Sequence, residues 1–383
     1  MKTTIIAVMI MLCSSFAVSQ DFTQFVDPFI GTGGHGHTFP GATTPFALVQ
    51  LSPDAGTTGW DWCSGYHYSD STLMGFSHTH LSGTGVGDLG DVLVVPYVGD
   101  LKLASGSKTN PDAGYRSRFD HNREDASPGY YTVDLLDYDV KAELTATKRV
   151  GVHRYTFPQS DKARILFDLG HSIYNRTVLE SEIHIIDDQT IEGYRAVSGW
   201  VPIRFVYFKA RFSKPFKKST MFWPSGDNQF TTRQDMTRRK AAGGHGVVLT
   251  FETDEAEAIQ VQVGLSAVSP EAAGKALEIE TPTFDFESVW EQARASWDEV
   301  LSRIEIEGTD AQKRMFYTGL YRNFISPHTL SDQNGNYIGP DFRPAQAEGG
   351  DFYSTFSLWD TYRATHPLYT LVAPEKVPGM IES

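Results

Sequence analysis

Cysteine is nearly absent from this sequence of 383 residues: Cys13 and Cys63 are the only two. An exported chain that loses Cys13 with a leader keeps one thiol and no internal disulfide. Its stability must then come from a buried core. Beyond the leader no hydrophobic run is long enough to span a bilayer as a helix. No block of Lys or Arg occurs, and 47 acidic residues outnumber 33 basic ones. That balance gives nucleic acid or an anionic membrane surface nothing to bind. Internal repeats and low-complexity tails are lacking too. Aromatic residues, in contrast, make up 13%, which suits a β-rich protein handling sugars and equally suits an aromatic core.

The first nineteen residues read as a signal peptide. Lys2 supplies a short positive region, Ile5 to Ala17 is apolar, and Ala17-Val18-Ser19 places small residues where a signal peptidase cuts. A lipoprotein anchor at Cys13 is the weaker alternative, because bulky Leu12 precedes it. Export to the periplasm, the cell surface or the medium follows.

Residues 20–270 are expected to form an antiparallel β-sandwich. Ile259, Val261, Val263 and Leu265 alternate with Gln260, Gln262 and Gly264, the period of a half-buried strand. Val206, Phe208, Ala210 and Phe212 repeat it, and further β runs lie at 91–98, 130–138, 152–157 and 164–169. Asp187-Asp188-Gln189 reads as a hairpin turn. The period changes after Pro282: Phe286, Val289, Trp290, Ala293, Trp297, Val300, Leu301 and Ile304 follow helical spacing. Residues 271–308 are therefore expected as a linker and connecting helix. Thr309 or Asp310 caps a second helix, whose apolar face includes Phe316, Leu320 and Phe324. A third helix is predicted from about Ser357 to Leu371, and a fourth after Pro374. The fold class is mainly β, with a helical domain beginning at 309–383. These helices are expected to expose apolar faces, and the ending Val-Pro-Gly-Met-Ile-Glu-Ser reads as a truncation.

Three segments carry candidate chemistry. The first, 26–42, is a glycine-rich loop holding His35 and His37. It lacks the strand and helix context of a dinucleotide site and the ending of a P-loop, so the two histidines either contact a ligand or brace the loop through its backbone. The second, 59–85, holds Trp60, Asp61, Trp62, Cys63, His67, His78 and His80. A sugar stacks its C–H face on an aromatic ring and offers hydroxyls to carboxylate, Arg or His, and a loop with two Trp and an Asp provides both. Only one of the two indoles is expected to touch ligand, the other serving packing. His78-Thr79-His80 has alternate spacing on a strand, but no nearby Cys or Glu completes a zinc set. Cys63 is expected to be a buried, inert thiol. The third segment, 355–367, would put Trp359, Tyr362, Arg363 and His366 on one helix face. Asp360 and Arg363 there form either a surface ion pair or a grip on vicinal hydroxyls.

Taken together, VDPFIGTGGHGHTFPGATTPFALVQLSPD at 26–54, SGYHYSDSTLMGFSHTHLSGTGVGDLGD at 64–91 and FSLWDTYRATHPLYTL at 356–371 closely resemble the hallmark segments of glycoside hydrolase family 92. The stretch 126–158 also resembles that family, so the likeness covers essentially the whole mature chain. It implies a β-sandwich joined to a helical toroid of the (α/α)6 type. It implies an exo-acting, inverting α-mannosidase of the kind common in Bacteroidetes, trimming mannan or N-glycans. Trimming of α-1,2 type is the expected activity, although the motifs do not separate linkages. Trp60 or Trp62, with Asp360 and Arg363, would help form the pocket for the terminal mannose. Inverting hydrolysis needs an acid and a base roughly 6.5–9.5 Å apart, and the family uses calcium. The family's acid, base and calcium ligands match no position here. No catalytic or metal-ligating residue is therefore assigned, and the chain by itself is expected to be inactive. A non-catalytic carbohydrate-binding sandwich is the alternative function.

Overall fold

The computed structural model describes residues 21–226, 229–354 and 357–383. The leader with Cys13, and Thr355 and Phe356 of the third motif, lie outside them. Among the described residues no helix is long and apolar enough to cross a membrane.

Two antiparallel sheets pack face to face. In the described residues one has eight strands, with Leu93–Val98, Ser160–Asp168 and Gly246–Thr253 at its centre. The other has nine, centred on Arg204–Phe212, Glu257–Ser266 and Val150–Phe157. The alternation read from the sequence decides which side chains meet: Val206, Phe208, Ala210 and Phe212 all point inward, as do Ile259, Val261, Val263 and Leu265. Phe167 of the first sheet stacks on Phe208 of the second at 6.1 Å. Each such fully buried ring stabilises the fold by about 1.5–3 kcal/mol. The expected hairpin forms between Thr177–Asp187 and Thr190–Ser198, with Asp188 and Gln189 at its turn.

The expected linker at 271–308 instead contains two helices that pack on the sandwich. Helix α1, Pro270–Glu280, lies over the strands Arg204–Phe212 and Glu257–Ser266. Its start is marked by Ser269, whose hydroxyl accepts from the Ala272 N–H, and by Pro270 in the first turn. Helix α2, Phe286–Leu301, contacts Val140–Ala146 and Val150–Phe157. It ends at Leu301, before Ile304 and Gly308. Helix α3, Asp310–Asn323, begins with a capping box between Thr309 and Gln312.

The apolar faces of α2 and α3 are not exposed, contrary to expectation. Trp297, Leu301, Tyr317, Leu320, Tyr321 and Phe324 join Phe22, Phe39 and Phe46 of the N-terminal segment in a second core. The Trp297 indole N–H also donates to the Thr43 carbonyl at 2.6 Å. The third predicted helix is broken: α4 covers Leu358–Thr361, α5 covers Thr365–Val372, and Ala364 sits between them at φ −136° and ψ −45°. A last helix, α6, covers Val377–Glu382. In this region apolar surface is open, with Leu358, Trp359, Tyr362, Leu371 and Ile381 all more than half exposed.

Candidate functional site

Trp60 and Trp62 stand on one short 3-10 turn, Trp60–Trp62, yet face different surroundings. The Trp62 ring is covered. The Lys108 ammonium lies 3.6 Å from its centroid, its N–H donates to Asp70 at 2.5 Å, and Gly56 and Gly59 press against it so closely that a Cβ at either would come within 3 Å. Trp60 is 51% exposed, pinned at its edge by a 2.9 Å bond from its N–H to the Gly85 carbonyl. Of the two indoles, Trp60 alone has a substantial open surface.

The glycine-rich loop closes around that ring. His37 meets it edge-on at 4.4 Å between centroids, and His35 lies at 4.9 Å. His35 Nδ1 is 2.6 Å from the Asp61 carboxylate, and that hydrogen bond holds the Asp61 carboxyl below its ordinary range. Burial lowers the pKa of His37, against the opposing pull of Asp61 at 3.8 Å. Its Nε2 is buried without a hydrogen-bond partner among the described residues. Among the described residues neither imidazole hydrogen-bonds to the loop backbone. That role falls to His67, whose Nε2–H donates to the Gly34 carbonyl at 3.1 Å. An open indole beside a carboxylate–imidazole pair can stack an apolar sugar face and bond its hydroxyls.

Beneath this surface lies a buried polar layer. The strand Gly75–Ser77 ends before His78, so His78 and His80 do not share a strand face. Tyr155 O–H donates to His153 Nδ1 at 2.6 Å, His153 Nε2 is 3.1 Å from His78 Nε2, and His78 Nδ1 is 2.7 Å from the Val92 carbonyl. Two neutral imidazoles satisfy this chain throughout, leaving no lone pair for a metal. Burial pushes His78 down to about 4, and His153 well below its usual range. His80 and His171 flank Asp54 at 2.8 and 2.7 Å. Burial raises the Asp54 carboxyl, but these two rings outweigh it and hold the group well below the usual carboxylate range. Burial likewise raises the Cys63 thiol, the direction of an inert cysteine.

Asp360 and Arg363 lie elsewhere, on exposed surface. Among the described residues they form no ion pair with each other; Arg363 Nε donates instead to the Tyr362 hydroxyl at 2.8 Å. The helix break takes Trp359 and Asp360 out of register with His366. No hydrogen bond, ion pair or ring contact among the described residues joins this segment to Trp60. A shared anchor nevertheless ties both regions to the end of α3. The Arg322 guanidinium donates to the carbonyls of Pro28, Ile30 and Phe39 at 2.5–3.1 Å. Adjacent Asn323 accepts from the Thr365 and Tyr369 hydroxyls at 3.1 and 2.5 Å. Sequence reading missed Arg322, since an arginine in a helix's last turn ordinarily caps that helix's own carbonyls.

Among the described residues no group of three or more His, Cys, Asp or Glu side chains gathers in a way that could hold a metal ion. The described side chains therefore do not fit a calcium site, which needs several converging oxygens.

The sequence matches the Glycosyl hydrolase family 92 N-terminal domain over residues 25–266 and the Glycosyl hydrolase family 92 catalytic domain over 272–383. Its structure is similar to a family GH92 α-mannosidase of Bacteroides thetaiotaomicron, with 39% identity, a TM-score of 0.89, and coverage of 95% of this chain and 49% of that one. A structure of the same mannosidase in complex with mannoimidazole matches at 40% identity and TM-score 0.89, covering 95% and 48%. An inverting GH92 mannosidase of the same organism matches at 30% identity and TM-score 0.79, covering 93% and 46%. An uncharacterized secreted glycosidase of Arthroderma benhamiae is 25% identical over 374 residues, which are 90% of this chain and 45% of that protein. The chain thus spans about half the length of these relatives.

Proposed function

Because the chain belongs to glycoside hydrolase family 92, we propose that it forms the sandwich and first helices of an exported, inverting exo-α-mannosidase. The substrate is a terminal mannose of mannan or an N-glycan, with α-1,2 trimming as the assigned linkage. The observation that carries this reading is Trp60, half-exposed and framed by His37 and the His35–Asp61 pair. Trp60 stacks the C–H face of the terminal sugar, and Asp61 with His35 bonds its hydroxyls. Trp62 supports the turn from below. Asp360 and Arg363 approach from the helical side and grip vicinal hydroxyls, positioned through the α3 anchor.

The acid and base of the reaction, and the calcium that in such an enzyme coordinates sugar hydroxyls, are assigned to sequence outside this chain. None of the residues named here acts through the metal. The chain by itself therefore binds sugar without cleaving it. A self-contained binding sandwich is less well supported, because α2 and α3 share a core with the N-terminal segment.

Two measurements on the purified chain test this. Titration with methyl α-mannoside should give weak binding that Trp60→Ala removes and Asp360→Ala weakens, with no response to the glucoside. Aryl α-mannoside should not be hydrolysed at any calcium concentration. Turnover that calcium stimulates and a chelator abolishes would show that the active site has been misplaced.

A further inference from the structure

We propose that Tyr174 and Trp200 continue the Trp60 surface as a stacking platform for the sugar residues behind the terminal mannose. This inference rests on the reading of Trp60 given above. Trp200 is 53% exposed and Tyr174 41% exposed. Among the described residues, neither the Trp200 indole N–H nor the Tyr174 hydroxyl makes a hydrogen bond, although each ring belongs to a firmly tied backbone. Open rings with free polar tips offer a sugar both an apolar face and a hydroxyl partner.

One short segment, 85–88, organises all three rings. The Gly85 carbonyl accepts from Trp60 at 2.9 Å. Tyr174 lies on Gly87 so closely that a Cβ there would come within 2.6 Å of its ring. The Asp88 carboxylate accepts the Trp200 backbone N–H at 2.7 Å. Three residue steps separate Gly85 from Asp88, so these attachment points fall within about 11 Å of one another. All three residues are thus tied to one short segment rather than standing as unrelated exposures.

The strip is also rigid. Tyr174 is held at φ 65° and ψ 24°, a left-handed conformation unfavourable for a side chain of that size, by its N–H bond to the Thr57 carbonyl at 2.6 Å. Arg176 donates to the Gly87 carbonyl through two nitrogens, at 3.1 and 2.6 Å. Stacking on rings already fixed loses little conformational entropy. Charges of both signs lie nearby: the Arg176 guanidinium stands 5.8 Å from the Tyr174 ring centroid, the Asp88 carboxylate accepts backbone N–H groups, and Arg204 pairs with Asp91 at 2.6 Å. The strip therefore offers no single-sign surface to a charged polymer, and an α-linked manno-oligosaccharide is the neutral chain that also places its end on Trp60.

Calorimetric titration of the chain with mannose, mannobiose and mannotriose tests this. Affinity should rise with length. Trp200→Ala and Tyr174→Ala should each lower trisaccharide affinity about threefold to tenfold, leaving mannose affinity unchanged. Trp200→Phe should retain most of the gain, and circular dichroism should show all variants folded. Equal affinity for mannose and mannotriose, or alanine variants that bind mannotriose like the parent, would overturn the platform while leaving the Trp60 reading intact. Failure of the parent chain to bind any of the three sugars would overturn both. Retention of full mannotriose affinity with loss of self-association or protein binding in Trp200→Ala would identify the strip as a protein contact and also overturn the proposal.

Discussion

Lowering the pH from 7.5 to 5 should strip this fold of much of its stability, and the buried histidines set the size of the loss. Burial holds His78, His245 and His328 at about 4, whereas an unfolded histidine titrates near 6.5. Between those values the unfolded chain binds more protons than the native one, so unfolding becomes easier as pH falls. The full contribution is present above 6.5 and is lost progressively towards 4. At pH 5 each histidine accounts for about 2 kcal/mol, and the three together for about 6 kcal/mol. That is comparable with the whole stability of an ordinary domain, about 5–15 kcal/mol. Among the carboxylates Glu124, raised by burial, opposes the histidines as pH falls, whereas those held low do not blur this window. Asp91, raised by burial but lowered further by Arg204 and Arg195, stands at about 2, and Asp54 is also held low. Their stabilisation is complete above the ordinary carboxylate value and is lost only below it. Calorimetry across pH 7.5 to 5 should show a steep fall in Tm. His245→Gln, whose amide can still reach Ser181 and the Arg239 carbonyl, should remove about a third of that slope. A flat Tm over this range would refute the assignment of these histidines as neutral buried groups.

Two other perturbations probe the join between sandwich and helices. Arg322→Lys keeps the charge but loses the fork that spans three carbonyls. Losing two charge-assisted bonds should cost about 3–6 kcal/mol at most, read as a lower urea midpoint, and a loss under about 1 kcal/mol would show that the anchor is idle. Chymotrypsin should cut first at Trp359 or Tyr362, 77% and 55% exposed, while α2 and α3 resist; early cleavage within 286–323, mapped by mass spectrometry, would contradict the shared core.

Much of the sandwich was legible because strand alternation depends only on which side chains face the core. At 206–212 and 257–266 the pattern fixed the buried face without knowledge of the neighbouring strands. Helix α1 escaped because it presents a narrow apolar face: Ala273, Ala276 and Leu277 are its buried residues. The signal that marked it was Ser269-Pro270, a cap followed by proline in the first turn. The exposure expected for the later helices was wrong for a different reason. Phe22, Phe39 and Phe46 lie over 250 residues upstream of the α2 and α3 residues they cover, and no local period reports such a partner.

The third motif shows how one residue can reorder a candidate site. An unbroken helix from Ser357 to Leu371 would require Pro367 to forgo its hydrogen bond to the Arg363 carbonyl and push its ring against that oxygen. The chain avoids this by breaking at Ala364 and restarting at Thr365, which leaves Pro367 in the first turn of α5, where a missing N–H costs nothing. Trp359 and Asp360 consequently leave the face that carries His366, and Arg363 turns to the Tyr362 hydroxyl. Spacing in the motif was therefore a poor guide to which side chains meet. What the fold does join is the glycine-rich loop and α5, which Arg322 and Asn323, two neighbours on α3, hold from one helix end. The pocket proposed above would depend on the docking of α3, so Arg322→Lys should weaken methyl α-mannoside binding without removing a group that touches the sugar.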